Sequence, residues 1–102
     1  MKEQQQQTAE AVAVRGRVRA VIGALVGQEL TAGSDELSLA ELAPGRYDSL
    51  GVIEAVALVE RELGVSIDLV EDDLRATFYS VAAIATLVAR KQHDAAVLGG
   101  QW

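Results

Sequence analysis

Asp48 and Ser49 stand side by side and place a hydroxyl, a potential nucleophile, next to a carboxylate. A serine acts as a nucleophile when an adjacent base takes its proton. The one histidine, His93, lies in a segment that the pattern predicts to be a frayed tail, and the chain has no cysteine. We therefore expect no enzymatic activity from the chain itself, and activation of the Ser49 hydroxyl would require a partner protein.

The same pair has a purely structural interpretation. An Asp or Ser immediately before an apolar helical run is a typical N-cap, which would satisfy a free backbone N–H group. Even so, a serine at a helix start has a chemically useful position. Its hydroxyl is exposed beside free N–H groups and the positive end of the helix dipole, a place that tolerates an attached phosphate.

Composition excludes several classes of protein. With 102 residues, no cysteine and one histidine, the chain suits a single domain without disulfides or a Cys- or His-rich metal site. The net charge of −6 argues against a nucleic-acid surface. No apolar run approaches the roughly 20 residues that span a bilayer, and the first residues lack a secretory signal. We expect a cytoplasmic, monomeric protein that binds neither nucleic acid nor membrane.

The negative charge is concentrated in the middle of the chain. Residues 35–78 hold eleven acidic and three basic side chains, a net of −8, whereas each flank has a net of +1. An electrostatic partner would therefore be basic and would be steered to this middle segment. The acidic run Glu71-Asp72-Asp73 lacks the alternating ligands and central glycine of a calcium loop, so we predict no metal site.

The spacing of apolar residues predicts an all-α fold, a small bundle of three main helices and one short helix. The predicted ranges are about 8–30, 49–63, one acidic turn within 68–74, and 80 to about 91. The first two helices are joined by a long loop, 31–48, whose leucines Leu37, Leu39 and Leu42 should pack back onto the helices. Residues 8–91 form the domain, with flexible tails at 1–7 and 92–102.

Three residues mark the expected ends of these helices. Thr8 should cap the first helix, and Gly64 should end the second in the left-handed conformation. Ser80 should cap the last helix. Arginines 15, 17 and 19, beside the apolar stripe of the first helix, are predicted to be solvated.

The second predicted helix has two apolar faces when its residues are placed at about 100° steps. One face is the predicted core face, formed by Val52, Val56, Val59 and Leu63. The other, which we call the outer face, is formed by Leu50, Ile53, Glu54, Ala57 and Arg61. An apolar patch edged by charge is typical of a docking surface. The alternative is that this outer face packs beneath the 31–48 loop.

Three short motifs around this helix resemble the acyl carrier protein family. They are Asp48-Ser49-Leu50, Ile53-Glu54 and the run from Val59 to Ile67, in matching order and spacing. Downstream, Asp72-Asp73-Leu74 and Phe78-Tyr79-Ser80-Val81 look like the family's third and fourth helices. The resemblance covers roughly residues 10–91. Asp-Ser-Leu alone is a weak signal, whereas the whole series is a specific one.

The resemblance implies a fold of the acyl-carrier type in which Ser49 is esterified with 4′-phosphopantetheine by a separate phosphopantetheinyl transferase. The thiol of that arm carries an acyl or aminoacyl group as a thioester, which would account for the missing cysteine. The resemblance also implies a surface that loading and downstream biosynthetic enzymes recognise through their basic patches. Carried over by position, its residues are Leu50, Ile53, Glu54 and Ala57. Asp48 would flank the modified serine, and Glu60 would extend the acidic patch.

This chain departs from the family pattern in four places. Arg46 stands where the family often has glycine, with Tyr47 directly before the aspartate, and Gly51 replaces a polar residue. Arg61 replaces a common acid and reverses one charge of the outer face. These departures argue against simple exchange with the carrier of fatty acid synthesis. The extended tails and the Ala-, Val- and Arg-rich composition favour a free-standing carrier of bacterial secondary metabolism, such as polyketide biosynthesis. Two alternatives remain: an aminoacyl or peptidyl carrier of nonribosomal peptide biosynthesis, and an unmodified helical interaction module.

Overall fold

The computed structural model describes residues 9–99, and the side chains of residues 9–95. Within that range every regular element is helical, so the predicted all-α class is confirmed. The elements are α1 (Ala9–Val26), a 3₁₀ turn (Ala32–Ser34), α2 (Leu39–Leu42), α3 (Ser49–Leu63), α4 (Leu74–Thr77) and α5 (Val81–Gly99). The loop between the two first long helices therefore contains more helical structure than the sequence predicted.

Helix α1 places one aliphatic stripe in the core. Val14, Val18, Ile22 and Val26 recur every four residues and are all buried. The helix ends at Val26, four residues before the predicted end at Leu30. The cause is Gly27, whose φ of 75° is left-handed and whose N–H donates to the Gly23 carbonyl at 2.8 Å. The predicted cap, Thr8, and the predicted tail 1–7 lie outside the described residues.

Helices α3 and α5 both pack on α1 and complete the core. Each large aliphatic side chain that is fully buried contributes about 1.5–3 kcal/mol relative to exposure. The helical spacing of the last predicted helix places four aliphatic residues inward, and all of them are buried: Val81, Ile84, Leu87 and Val88. Phe78 joins them from the α4–α5 junction. The largest fully buried side chains are Phe78, Ile22, Leu39, Ile84 and Leu87.

The loop between α1 and α3 is attached to the helices by its backbone and by two of its three leucines. Leu39 is buried and Leu42 is half-buried, as predicted, but Leu37 is 50% exposed, so the prediction for that residue was wrong. Leu37 lies outside α2, whereas the N–H of Leu39 donates to the Tyr79 carbonyl at 2.9 Å. The N–H of Ala82, in turn, donates to the Asp35 carbonyl at 2.8 Å.

The arginines of α1 are not merely solvated, which corrects the sequence prediction. Arg15 and Arg19 both pair with the buried carboxylate of Asp35. Arg17 uses Nη2 to donate to the carbonyl of Glu62 at 2.6 Å, near the end of α3. All three side chains therefore connect α1 to other segments.

The chain after α3 differs from the prediction at two places. The helical turn expected within 68–74 is displaced: α4 begins at Leu74, where the Asp73 side chain caps it by accepting from the Arg75 N–H. Helix α5 starts after Ser80, whose Oγ accepts from the Ala83 N–H at 3.1 Å as predicted. The helix continues to Gly99 rather than ending near residue 91, so residues 92–99 are helical where a tail was expected.

Candidate functional site

The start of α3 divides two roles between Asp48 and Ser49. Asp48 is the N-cap, and its Oδ1 accepts from the Gly51 N–H at 2.9 Å. Ser49 is the first residue of the helix and is exposed. Its hydroxyl has no hydrogen-bond partner among the described residues. The capping function therefore belongs to the aspartate, and the serine hydroxyl is left free at the positive end of the helix dipole.

The two residues before Asp48 fix this helix start from both sides. Arg46 Nη1 donates to the Leu25 carbonyl near the end of α1, at 3.4 Å. Tyr47 is buried, and its hydroxyl donates to the Phe78 carbonyl at 2.7 Å. Burial also raises the pKa of the Tyr47 phenol well above its ordinary value. The backbone that leads into Ser49 is therefore anchored to α1 on one side and to the end of α4 on the other.

Gly51 is required by the close approach of this same loop. It is buried, and a Cβ placed on it would collide with the carbonyl oxygen of Arg46. Because that oxygen would lie closer than a real Cβ contact allows, a side chain at this position would force the backbone to move. Two of the departures from the family pattern, Arg46 and Gly51, are thus parts of one local contact.

The two faces of α3 have the burial that the sequence predicted. On the core face, Val56, Val59 and Leu63 are buried and Val52 is half-buried. On the outer face, Leu50 is 70% exposed and Ile53 is 47% exposed. The remaining outer-face residues, Glu54, Ala57 and Arg61, are exposed as well. The alternative in which the outer face packs beneath the 31–48 loop is therefore wrong.

Glu60 has a structural contact that the sequence did not predict. It is half-buried, and its Oε2 accepts from the Ile67 N–H at 2.8 Å. This bond attaches the link that follows α3 to the helix itself. Arg61, one residue further, lies beside Glu62 with 3.3 Å between Nε and Oε2, and both side chains are largely exposed.

Two exposed aliphatic residues beyond α3 were missed by the sequence reasoning. Leu69 is 55% exposed and Val70 is 88% exposed. The sequence prediction treated 68–74 as one acidic helical turn and gave these two residues no role. The available signal was that two adjacent aliphatic residues, between Asp68 and Glu71, do not fit the spacing of one helix face. A shallow groove of about 200 Å³ separates the outer face from this turn. Its lining residues are Ile53, Val56, Ala57, Glu60, Ile67 and Leu69.

The turn that carries these residues is held by Asp68. Its Oδ1 accepts from the N–H groups of Glu71 and Val70, at 2.9 and 2.8 Å, and these bonds lower the pKa of the carboxyl. The N–H of Asp68 donates in turn to Asp72 Oδ2 at 2.8 Å. The backbone of the turn is thus ordered by polar contacts while its aliphatic side chains face solvent.

The neighbouring acidic run does not converge on a common point. Asp72 is buried and pairs with Lys91 at 2.9 Å and with Arg90 at 3.6 Å. The bond from Lys91 is the main reason that the pKa of Asp72 is lowered. Asp73 is occupied as the cap of α4. In the part of the chain that the structure describes, no group of His, Cys, Asp or Glu side chains has an arrangement that could hold a metal ion.

The site consists of a free serine hydroxyl at a fixed helix start, next to an exposed apolar surface bordered by carboxylates. Over residues 9–99, no helix combines the length and apolar character needed to cross a membrane. No protein-family model, curated protein or solved structure matches the chain.

Proposed function

We propose that this chain is a discrete acyl carrier protein, in which Ser49 bears a 4′-phosphopantetheine arm that tethers a biosynthetic intermediate as a thioester. The observation that carries the proposal is the free, exposed hydroxyl of Ser49 within the Asp-Ser-Leu motif, at the start of a helix whose outer face exposes Leu50 and Ile53. The chain would act as a cytoplasmic monomer in polyketide or related secondary-metabolite biosynthesis.

The residues around Ser49 fit a phosphodiester-linked arm. Asp48 accepts from the Gly51 N–H, so its carboxylate does not engage the serine hydroxyl. The first turn of α3 presents backbone N–H groups and the positive end of the helix dipole, which favour a phosphodiester charge. When attached, the arm supplies the terminal thiol that this cysteine-free chain lacks.

Attachment requires a transferase, because the neighbouring Asp48 carboxylate is occupied by the Gly51 N–H and does not engage the Ser49 hydroxyl. The Ser49 hydroxyl proton passes to the transferase, and a new bond forms from Oγ to the phosphorus that bears the pantetheine. The pyrophosphate bond of coenzyme A breaks, and adenosine 3′,5′-bisphosphate leaves. The chain's own part is to present the hydroxyl and the surrounding surface. Tethering then raises the effective concentration of the carried group at each partner enzyme.

A second candidate, an unmodified interaction module, is favoured by the exposure of Leu50 and Ile53, since these side chains could bind a partner without any arm.

Whether the tethered cargo is an acyl or an aminoacyl group does not alter the tethering mechanism. In both carrier forms the partners would be the transferase and then enzymes with basic docking patches that complement the acidic segment.

The test is incubation of the full chain with coenzyme A and a broad-range phosphopantetheinyl transferase, followed by intact-mass measurement. We expect a mass gain of one phosphopantetheine. Ser49→Ala should abolish the gain, and Ser66→Ala, which alters another exposed serine, should leave it unchanged. If several such transferases give no mass change, the carrier proposal fails and the interaction module becomes the better account.

A further inference from the structure

Large exposed aliphatic side chains cluster on one side of the molecule. The described residues include seven large hydrophobic side chains that are exposed, and four of them belong to α3 and the turn that follows it: Leu50, Ile53, Leu69 and Val70. Ile53 and Leu69 border the same groove of about 200 Å³. An apolar centre of this kind is what a protein interface requires.

The turn at Leu69 and Val70 is preorganised for binding. The N–H groups of Val70 and Glu71 donate to Asp68, and the N–H of Asp68 donates to Asp72. Asp72 is itself held by Lys91. Because this backbone is already ordered, a partner that covers the two aliphatic side chains would lose less conformational entropy than one that had to order a loop.

The charges around the apolar centre specify the chemistry of its occupant. Residues 53–75 hold seven acidic and two basic side chains, a net of −5. Asp72 is neutralised by Lys91, and Arg61 lies beside Glu62. Glu54, Glu71 and Asp73 are exposed and have no ion-pair partner among the described residues. The complementary surface is therefore an apolar recess bordered by Arg or Lys side chains.

The position of Ser49 indicates which partner meets this surface. Ala57, which lines the groove, lies only about 12 Å from Ser49 along the axis of α3, because the rise of an α-helix is about 1.5 Å per residue. A standard interface covers about 800 Å² per partner, which corresponds to a disc of roughly 16 Å radius. An enzyme that acts on the Ser49 hydroxyl is thus large enough to reach the groove and the turn beside it.

We propose that the Leu69-Val70 turn is a second docking element, which a phosphopantetheinyl transferase contacts through an apolar, basic-edged recess while it acts on Ser49. This inference rests on the proposed function, because it takes the transferase as the partner. It goes beyond the outer face, since Leu69 and Val70 lie outside α3 and are not among the residues that the family resemblance assigned to docking.

The test compares transferase kinetics for variants of the full chain, with coenzyme A as the co-substrate. We expect the double variant Leu69→Ser/Val70→Ser to lower kcat/KM about tenfold, mainly through KM, which is the effect of removing an interface anchor. The matched control is Val12→Ser/Leu37→Ser, which removes the same residue types at 51% and 50% exposure on other segments. The control should stay within about twofold of the wild type.

Three outcomes would overturn the inference, and they are distinguishable. If the wild type is modified and the double variant keeps its kcat/KM, the docking element is wrong while the carrier function stands. If no transferase modifies the wild type, both fail together. If sedimentation shows a wild-type dimer that the double variant converts to monomer, a second copy of the chain occupies the surface instead. Should the double variant lose helicity, Val70→Ser alone, at a side chain 88% exposed, should still lower kcat/KM about threefold.

Discussion

Arg19 holds the carboxylate of Asp35 by two parallel bonds, with Nε 2.8 Å from Oδ1 and Nη2 3.1 Å from Oδ2. Arg15 approaches the same carboxylate at 3.5 Å, and only 2% of Asp35 is exposed. The Asp35 carbonyl accepts from Ala82 at the start of α5. One residue therefore joins the long loop to both α1 and α5.

Asp35→Asn should lower the free energy of unfolding by about 2 kcal/mol, because two guanidinium groups lose a charged acceptor that is buried. Urea unfolding followed by circular dichroism measures this. Glu36→Gln removes a carboxylate whose side chain is 78% exposed, and it should change stability by less than about 0.5 kcal/mol. Equal losses for the two variants would contradict the importance of the buried pair. A double-mutant cycle with Arg19→Gln should give a favourable coupling energy.

An aspartate substitution should unfold the protein on the core face of α3 but not on its outer face. Val56→Asp places a charge in the core and should destabilise the domain by more than about 3 kcal/mol, enough to unfold it. Ile53→Asp places the same charge on the outer face, where we expect the fold to persist. Far-ultraviolet circular dichroism and thermal melts compare the two variants. Similar loss of helicity in both would refute the assignment of the faces.

Gly51→Ala should destabilise the protein by about 1–3 kcal/mol, because the added methyl collides with the Arg46 carbonyl and the loop must move. The matched control is Gly16→Ala in α1, where the nearest atom to an added Cβ is the Arg19 Nη1 at 3.8 Å. This control should raise stability by up to about 1 kcal/mol through helix propensity. Urea midpoints that shift in the same direction would show that the contact with Arg46 is not restrictive.

Acid should weaken the fold through Asp72 and Asp68, whose pKa values are lowered by bonds from Lys91 and from backbone N–H groups. A carboxyl group with a lowered folded-state pKa stabilises the fold above its unfolded pKa of about 4. That contribution is lost as the pH falls through the folded-state pKa. Unfolding free energies measured from pH 7 to pH 2 should decline below about pH 4.

Asp72→Asn should remove part of this decline. Asp94→Asn, which alters an exposed carboxylate without an ion-pair partner among the described residues, should leave the decline as it is. A profile for Asp72→Asn that parallels the wild type would show that the pair with Lys91 does not contribute to acid sensitivity.

Local signals explain why α3 was predicted to the residue. Asp48 caps its start and Gly64, with a φ of 68°, ends it, and both signals can be read from a few neighbouring letters. The burial of Val56 and Val59 followed from helical spacing alone. The same reasoning identified Ser49 as a residue at a helix start.

Contacts between distant residues explain what could not be predicted. Arg19 and Asp35 are separated by 16 residues, and Tyr47 and Phe78 by 31, so no local pattern indicates either bond. The displacement of α4 has a more local cause. The Asp68 carboxylate accepts from the N–H groups two and three residues later, those of Val70 and Glu71, which forms a turn. Asp73 is then the residue that caps the helix. The exposure of Leu69 and Val70 follows from that turn.

The anchoring of Arg46 and Tyr47 has a mechanical consequence. Arg46, three residues before Ser49, donates to a carbonyl near the end of α1. Tyr47, two residues before Ser49, donates to the Phe78 carbonyl. The backbone that leads into Ser49 is therefore attached to two other parts of the fold. A group joined to the Ser49 hydroxyl would therefore move mainly by rotation about its own bonds. The distance it can reach from Ser49 is set by its own length.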